Sequence, residues 1–310
     1  MDRARTEAFV NVAGRYVRVV RSAPLAAGKN VPIFFIEAAC GWYSSMYGRV
    51  IDGLARHGHV IAYDRAGLGR STPAADPPDA TARASELFSL NEAMNLKGPF
   101  VLVGHSIAAL YLRVYAHQHP KNVASLVLLD PTHHLVYAVF TRSLQKRERM
   151  QTLLASLACR FGVKRQPVPL LRANEPPWDS LPREAREDII DCSADPQVAL
   201  TERAELANLE VASRQAEAAG NIEDIPLLVI SSGSRSLREL KGFRHPEAFM
   251  KLWLLLQRDF ATLSKRSEHL VVESAGHCDL VTDERHAGRI CEHIVEFVNR
   301  QQANSGTRDV

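Results

Sequence analysis

The sequence predicts an α/β fold built on a mostly parallel, doubly wound sheet, and three observations carry that expectation. Short continuous apolar runs at 31–36 (VPIFFI), 60–63 (VIAY), 100–103 (FVLV), 123–129 (VASLVLL) and 226–230 (PLLVI) read as strands buried on both faces, as parallel strands under helices must be. Between the first of them lie segments long enough for crossover helices, at about 45–57, 80–96 and 107–117, which gives the βαβ rhythm. The chain has 310 residues, 46% of them hydrophobic, enough to bury one large core.

The elements follow in order. Residues 15–21 (RYVRVVR) alternate polar and apolar, the pattern of a half-buried strand, with 9–12 as a hairpin partner across Ala13-Gly14. The rhythm then runs regularly to Pro131, where it breaks. About ninety residues precede the next buried strand, so 133–223 is expected to be a helical insertion into a core made of 1–132 and 224–310. Its first part, 142–165, holds seven Lys/Arg against the lone Glu148. Its second part is acidic, with Glu184, Glu187, Asp188, Asp191, Asp195, Glu202, Glu205 and Glu210. Solvated or mutually paired helix faces explain such runs better than a basic surface for an anionic substrate. The sheet pattern resumes afterwards. Residues 247–264 form an amphipathic helix, with Phe249, Trp253, Leu256, Phe260 and Leu263 at three- and four-residue steps. Residues 269–273 (HLVVE) are a last strand, and 283–300 a closing helix with Ile290, Ile294 and Val298 on one face.

Composition removes several function classes. A net charge of +3 is too small, and too little clustered, for a nucleic-acid binder. No stretch approaches 18 uncharged apolar residues, so no membrane-spanning helix is expected. The N-terminus lacks the apolar core of a secretory signal, which makes the expected location cytoplasmic. Five cysteines at 40, 159, 192, 278 and 291 are odd in number and form no C-x-x-C pair. They read as reduced thiols, neither a disulfide framework nor a zinc site. With no His-Glu-x-x-His, P-loop or dinucleotide fingerprint, neither metal nor cofactor is expected. The absence of a strong exposed apolar stripe suggests a monomer or homodimer.

The most informative segment is 100–120, FVLVGHSIAALYLRVYAHQHP. A buried strand runs into Gly104-His105-Ser106-Ile107-Ala108 and then into a helix, the setting of a nucleophile elbow. Residues two positions from the serine must be small. Gly104 is, and Ala108 adds only a methyl where Gly is usual. The helix N-terminus after Ser106 favours a developing oxyanion. His277 follows the last strand in Glu273-Ser274-Ala275-Gly276-His277 and is the candidate general base. His57, His59, His117 and His119 read as surface residues, and His105 as a support of the turn. For the orienting acid, Asp130 ends the strand 123–129 at the carboxyl edge of the sheet, where open α/β sheets gather their chemistry. The loop after 226–230 carries no carboxylate before Glu239, and Asp224 precedes that strand.

With these residues the chain resembles the α/β-hydrolase superfamily over nearly its whole length. The order Ser106, Asp130, His277 matches that family's Ser…acid…His order. Asp64-Arg65-Ala66-Gly67-Leu68-Gly69-Arg70-Ser71 is similar to its Asp-x-x-Gly-x-Gly-x-Ser turn, read here as structural. The resemblance implies the α/β-hydrolase fold, with 133–223 as a helical cap inserted after the sixth strand. It also implies an oxyanion hole of two backbone N–H groups. One belongs to Ile107, the residue after the nucleophile. The other belongs to the loop after the first central strand, Glu37-Ala38-Ala39-Cys40-Gly41-Trp42, with Cys40 as the expected donor. Ala39 stands there in place of a glycine, and an alanine enters the positive-φ region at a cost. Expected pocket walls are Trp42, Tyr43, Tyr47, Leu135 and Val139, with Val136 and Phe140 beside them.

A serine nucleophile argues against haloalkane dehalogenases and epoxide hydrolases of this fold, which need a carboxylate. The leading expectation is a serine hydrolase cleaving a small or medium carboxylic ester through an acyl-enzyme. A carbon–carbon bond hydrolase, an acyltransferase, a cofactor-free haloperoxidase and a degenerate, ligand-binding hydrolase are the alternatives.

Overall fold

The computed structural model describes residues 5–23, 31–135, 150, 157, 180–235 and 245–306. The strands are β1 (Thr6–Val12), β2 (Arg15–Ser22), β3 (Ile33–Glu37), β4 (His59–Tyr63), β5 (Phe100–His105), β6 (Val123–Leu129), β7 (Leu227–Ser232) and β8 (Ser267–Val272). The helices are α1 (Gly48–Leu54), α2 (Ala80–Ala93), α3 (Ala108–Gln118), α4 (Arg183–Ser193), α5 (Pro196–Ala207), α6 (Leu209–Ala218), α7 (Pro246–Phe260), α8 (Asp279–Thr282) and α9 (Glu284–Gly306). No helix among the described residues is long and apolar enough to cross a membrane.

The eight strands form one sheet in the order β1-β2-β4-β3-β5-β6-β7-β8. Both pairings of β2 are antiparallel, and every pairing from β4 to β8 is parallel. The predicted mostly parallel sheet is thus present, with an antiparallel hairpin at one edge. The order reverses between β3 and β5, so the loops leaving these two strands face each other across a crevice, the usual ligand position in open α/β sheets. One loop carries Cys40 and the other Ser106.

Apolar side chains fill both faces of the sheet. On one face Val50, Ile51 and Leu54 of α1 meet Ile290, Ile294, Phe297 and Val298 of α9, over Phe34, Ile36, Val101 and Val103 of the strands. On the other, Leu87 and Leu90 of α2 and Leu110, Leu112 and Val114 of α3 lie over Phe35, Leu102, Leu126 and Leu128. This alternation along each strand explains why the strand sequences read as continuous apolar runs.

Three differences from expectation have physical causes. First, β1 is longer than 9–12, because the hairpin register runs from Val12↔Arg15 back to Thr6↔Arg21. Second, Arg18 does not face water as the alternating pattern of 15–21 suggested. It is 3% exposed, because Glu7, Asp64 and Asp188 supply carboxylates to it. Third, α6 falls within 133–223, yet its Ala212 and Ala216 pack into the same core cluster as α2 and α3. This helix packs against α2 and α3 on the outer side of the fold's helical layer.

The acidic residues of α4 and α5 pair with arginines from the N-terminal third of the chain. Asp188 of α4 takes ion pairs from Arg18 and Arg70. Glu205 of α5 takes them from Arg65 and Arg83. The basic stretch 142–165 lies outside the described residues except Met150 and Leu157. Arg65 and Glu205 are fully buried, and Arg65 also binds Glu37. Burial opposes ionisation of Glu205, but Arg65 and then Arg83 outweigh it and hold its carboxyl below the ordinary range. Removing one partner of such a pair strands the other charge. Glu205→Ala is therefore expected to cost about 3–5 kcal/mol, read as a lowered urea midpoint. The double replacement Arg65→Met/Glu205→Leu should not recover that loss, because it leaves buried Glu37 without Arg65 and Arg83 without Glu205.

Candidate active site

The nucleophile candidate stands where the sequence places it. Ser106 has φ 59°, the left-handed region that a non-glycine residue occupies only under constraint. The constraint is visible in the backbone. The Ser106 N–H donates to the Leu129 carbonyl at 3.0 Å, and the Thr132 N–H donates to the Ser106 carbonyl at 2.9 Å. Gly104 is required by space. A Cβ there would lie 2.6 Å from Leu112 Cδ1 and 3.3 Å from the Ala108 Cβ. The extra methyl of Ala108 is thus accommodated because residue 104 has no side chain. The Thr132 hydroxyl lies 3.4 Å from Ser106 Oγ.

Asp130 and His277 meet. His277 Nδ1 lies 2.5 Å from Asp130 Oδ2. The Asp130 carboxylate is fully buried and accepts three further hydrogen bonds. Oδ1 receives the Ser232 N–H at 3.1 Å and the Trp253 indole N–H at 2.9 Å, and Oδ2 receives Arg235 at 2.8 Å. Burial alone would raise its pKa. The Arg235 cation, followed by the bond to His277, outweighs burial and holds the group well below the ordinary carboxylate range. Arg235 is itself stacked over the Trp253 ring at 4.3 Å. The loop after β7, which carries no carboxylate close to the strand, instead presents a cation to the acid of β6.

His105, next to Ser106, is completely buried, with its ring centroid 4.6 Å from that of His277. Burial, reinforced by the nearby His277, pushes its pKa far down, so the imidazole is neutral. The residues expected at the surface behave differently from it: His57, His59 and His117 are exposed, and His119 stacks on Phe88 at 4.2 Å.

The loop after β3 is held by side chains from both sides. The Ala39 N–H donates to the Tyr47 hydroxyl at 2.8 Å. The Gly41 N–H donates to Glu205 Oε2 at 2.9 Å. Arg65 donates to the carbonyls of Ala38 at 2.6 Å and Ala39 at 2.7 Å. Gly41 takes the positive φ of the turn, 68°, and Ala39 is not among the described residues in that region. The strain expected at Ala39 is therefore absent, because the turn is made two residues later. The N–H groups of Cys40 and Ile107 have no protein acceptor among the described residues.

The expected pocket walls divide. Trp42 is half-buried and sets its indole edgewise to Tyr47 and His105, at 5.9 and 5.6 Å. Tyr43 is not a wall. It is completely buried, and its hydroxyl donates to the Ile189 carbonyl at 3.0 Å, because the following 3₁₀ turn, Ser44–Tyr47, points it under α4. Leu135 is 43% exposed at the start of the insertion. Val136, Val139 and Phe140 lie outside the described residues, as does Glu239.

Sequence reasoning missed the site contacts of Arg235, Trp253, Thr132 and Glu205, and it placed Tyr47 as a pocket wall, whereas the residue is buried at 1% exposure with its hydroxyl between Ala39 and His105. Trp253 was visible as one apolar position in a helical stripe. A tryptophan in such a stripe also brings an indole N–H that needs an acceptor when buried, and here that acceptor is Asp130.

Comparison with known proteins agrees with this architecture. The family model described as alpha/beta hydrolase fold matches residues 31–161. Protein YqjL of Bacillus subtilis (strain 168) is 31% identical over 102 residues, 33% of this chain and 40% of that protein. The 2-hydroxy-6-oxo-6-(2'-aminophenyl)hexa-2,4-dienoic acid hydrolase of Metapseudomonas resinovorans is 31% identical over 130 residues, 41% of this chain and 43% of that protein. The matches thus span less than half the length of these relatives. Among solved structures, a serine hydrolase involved in carbazole degradation superposes with a TM-score of 0.61 at 20% identity, covering 96% of this chain and 99% of the other. The sheet order, the strained serine after β5 and the matched family model agree, and the chain has the α/β-hydrolase fold.

Proposed function

We propose that this chain is a serine hydrolase that cleaves a carboxylic ester, or a related acyl bond, through an acyl-enzyme. The observation that carries this reading is the Asp130–His277 pair, whose imidazole lies against His105, the residue before a serine on a strained strand-to-helix turn. Each residue has a role that its surroundings support. Asp130 accepts the Nδ1 proton of His277, leaving Nε2 free as a base. Nε2 takes the Ser106 proton as Oγ attacks the acyl carbon, and the oxyanion forms toward the N–H groups of Ile107 and Cys40. Collapse of the tetrahedral intermediate expels the alcohol, which takes the proton from His277. Water, deprotonated by the same imidazole, then attacks the acyl-enzyme, and Ser106 leaves with the proton returned. The side chains present supply every proton transfer in this cycle, and the substrate is a small molecule bounded by Trp42 and by the insertion.

The test is a burst experiment with p-nitrophenyl butyrate, combined with fluorophosphonate labelling mapped by mass spectrometry. A stoichiometric burst and a label on Ser106 are expected. A labelled residue elsewhere, or neither burst nor label, would sink the reading.

A second reading is favoured by one observation, the match to the Metapseudomonas dienoic acid hydrolase. On that reading the same residues would hydrolyse a carbon–carbon bond. Turnover of a 2-hydroxy-6-oxo-dienoic acid with a higher kcat/KM than any p-nitrophenyl ester would favour it.

A further inference from the structure

Three segments of the candidate site come from distant parts of the chain: the loop after β3, the turn after β5 and the loop after β8. A single chain of hydrogen bonds joins them. The Ala39 N–H donates to Tyr47 Oη at 2.8 Å. Tyr47 Oη lies 2.9 Å from His105 Nδ1. His105 Nε2 lies 3.1 Å from the His277 carbonyl oxygen.

The direction of each bond follows from donor capacity. The His277 carbonyl can only accept, so His105 Nε2 must carry the imidazole proton. His105 is neutral because it is buried, so Nδ1 has a lone pair and no proton. The Tyr47 hydroxyl must then donate to Nδ1, while a lone pair of its oxygen accepts the Ala39 N–H. Every group in the relay has one possible role. Tyr47 and His105 are both buried, at 1% and 0% exposure, so water does not readily replace either partner. Trp42 lies edgewise across both rings.

We infer that Tyr47, acting through His105, is a positioning residue that fixes the oxyanion loop and the catalytic-histidine loop in one register about the nucleophile. The inference rests on the hydrolase reading proposed above. Ala39 immediately precedes Cys40, the proposed oxyanion donor, and the His277 carbonyl belongs to the proposed base itself. A hydroxyl at 47 therefore sets the donor and the base relative to the same turn. Tyr47 and His105 are both buried and take no part in the proposed proton transfers, so the loss of the hydroxyl should impair the chemical step and leave binding nearly intact. Small misplacements of reacting groups are known to have this effect.

The experiment compares Tyr47→Phe with the wild type, using p-nitrophenyl butyrate. We expect kcat to fall about 10- to 100-fold, with KM changed by less than about twofold, and hydrogen exchange of the Ala39 amide to accelerate. A kcat within twofold of the wild type, or a KM that rises in step with the loss in kcat, would overturn the inference. Nitrogen-15 spectra of the wild-type imidazoles give a readout independent of turnover and of the variant's folding. His105 must show a protonated Nε2 and an unprotonated Nδ1, and the opposite tautomer would overturn the relay. If the wild type neither turns over esters nor takes a fluorophosphonate label, the hydrolase reading fails. The His105 tautomer and the Ala39 exchange rate still decide whether the relay exists.

Discussion

Replacing Ser106 by alanine is expected to lower kcat for ester turnover by about 10⁶-fold, with the fold intact. The size follows from interdependence. Once the attacking oxygen is gone, His277 has no proton to remove and the proposed oxyanion donors have no intermediate to meet, so the whole set fails as a unit. The fold should survive because the position's backbone bonds, to Leu129 and from Thr132, do not involve the hydroxyl. Among the described residues, the hydroxyl's hydrogen-bond neighbour is Thr132, at a loose 3.4 Å. Alanine keeps the Cβ and so still carries the cost of φ 59°, which leaves the thermal midpoint close to the wild type. Steady-state kinetics alongside a melting curve check both halves. A variant with near wild-type turnover would remove Ser106 from the mechanism.

Replacing Asp130 by asparagine is expected to cost about 10⁴-fold in kcat, with an added loss of stability. Asparagine is nearly isosteric, but its amide nitrogen donates where both carboxylate oxygens now accept. Those oxygens receive four donors, from Ser232, Trp253, Arg235 and His277. An amide facing His277 favours the tautomer with its proton on Nε2, which cannot act as base toward Ser106. Arg235 also loses its ion pair. The pH dependence has a definite sign. The folded pKa of Asp130 is depressed, so its contribution is fully present above the unfolded value of about 3.9. It is lost progressively as pH falls below that value through the depressed one. The stability gap between wild type and Asp130→Asn should therefore be widest near neutrality and close in acid. Urea unfolding at several pH values measures it. A gap that stays constant down to the most acid condition would contradict the account.

Much of the fold was legible because the parallel strands are short, doubly buried and separated by helical segments. The strands at 60–63, 100–103 and 123–129 all appear as expected, within two residues at their ends. Ser106 and His277 were legible because an elbow needs small neighbours and because a histidine after a last strand is conspicuous. Asp130 was reached by elimination, and the structure shows it on His277. The supporting groups were not legible. Arg18 reads as a surface residue until carboxylates from three other segments are brought to it. Glu205 reads as one acid in a charged helix until folding sets it against Arg65. Tyr43 and Tyr47 are four residues apart and chemically alike. One lies under α4 and the other joins the site, and only the path of the 3₁₀ turn separates them. Long-range polar pairing of this kind has no sequence period to reveal it.

Glu205 also bears on how such proteins are recombined. Segment 133–223 resembles a module that could be exchanged between homologues to change substrate preference. Yet its helix α5 carries the carboxylate that receives the Gly41 N–H and neutralises Arg65. A chimera with a foreign segment lacking an acid at this position would leave the Gly41 N–H without its acceptor and Arg65 with Glu37 as its remaining carboxylate beneath that loop. Graft boundaries drawn after α5, or grafts that retain the acid, keep that loop's anchor with the host.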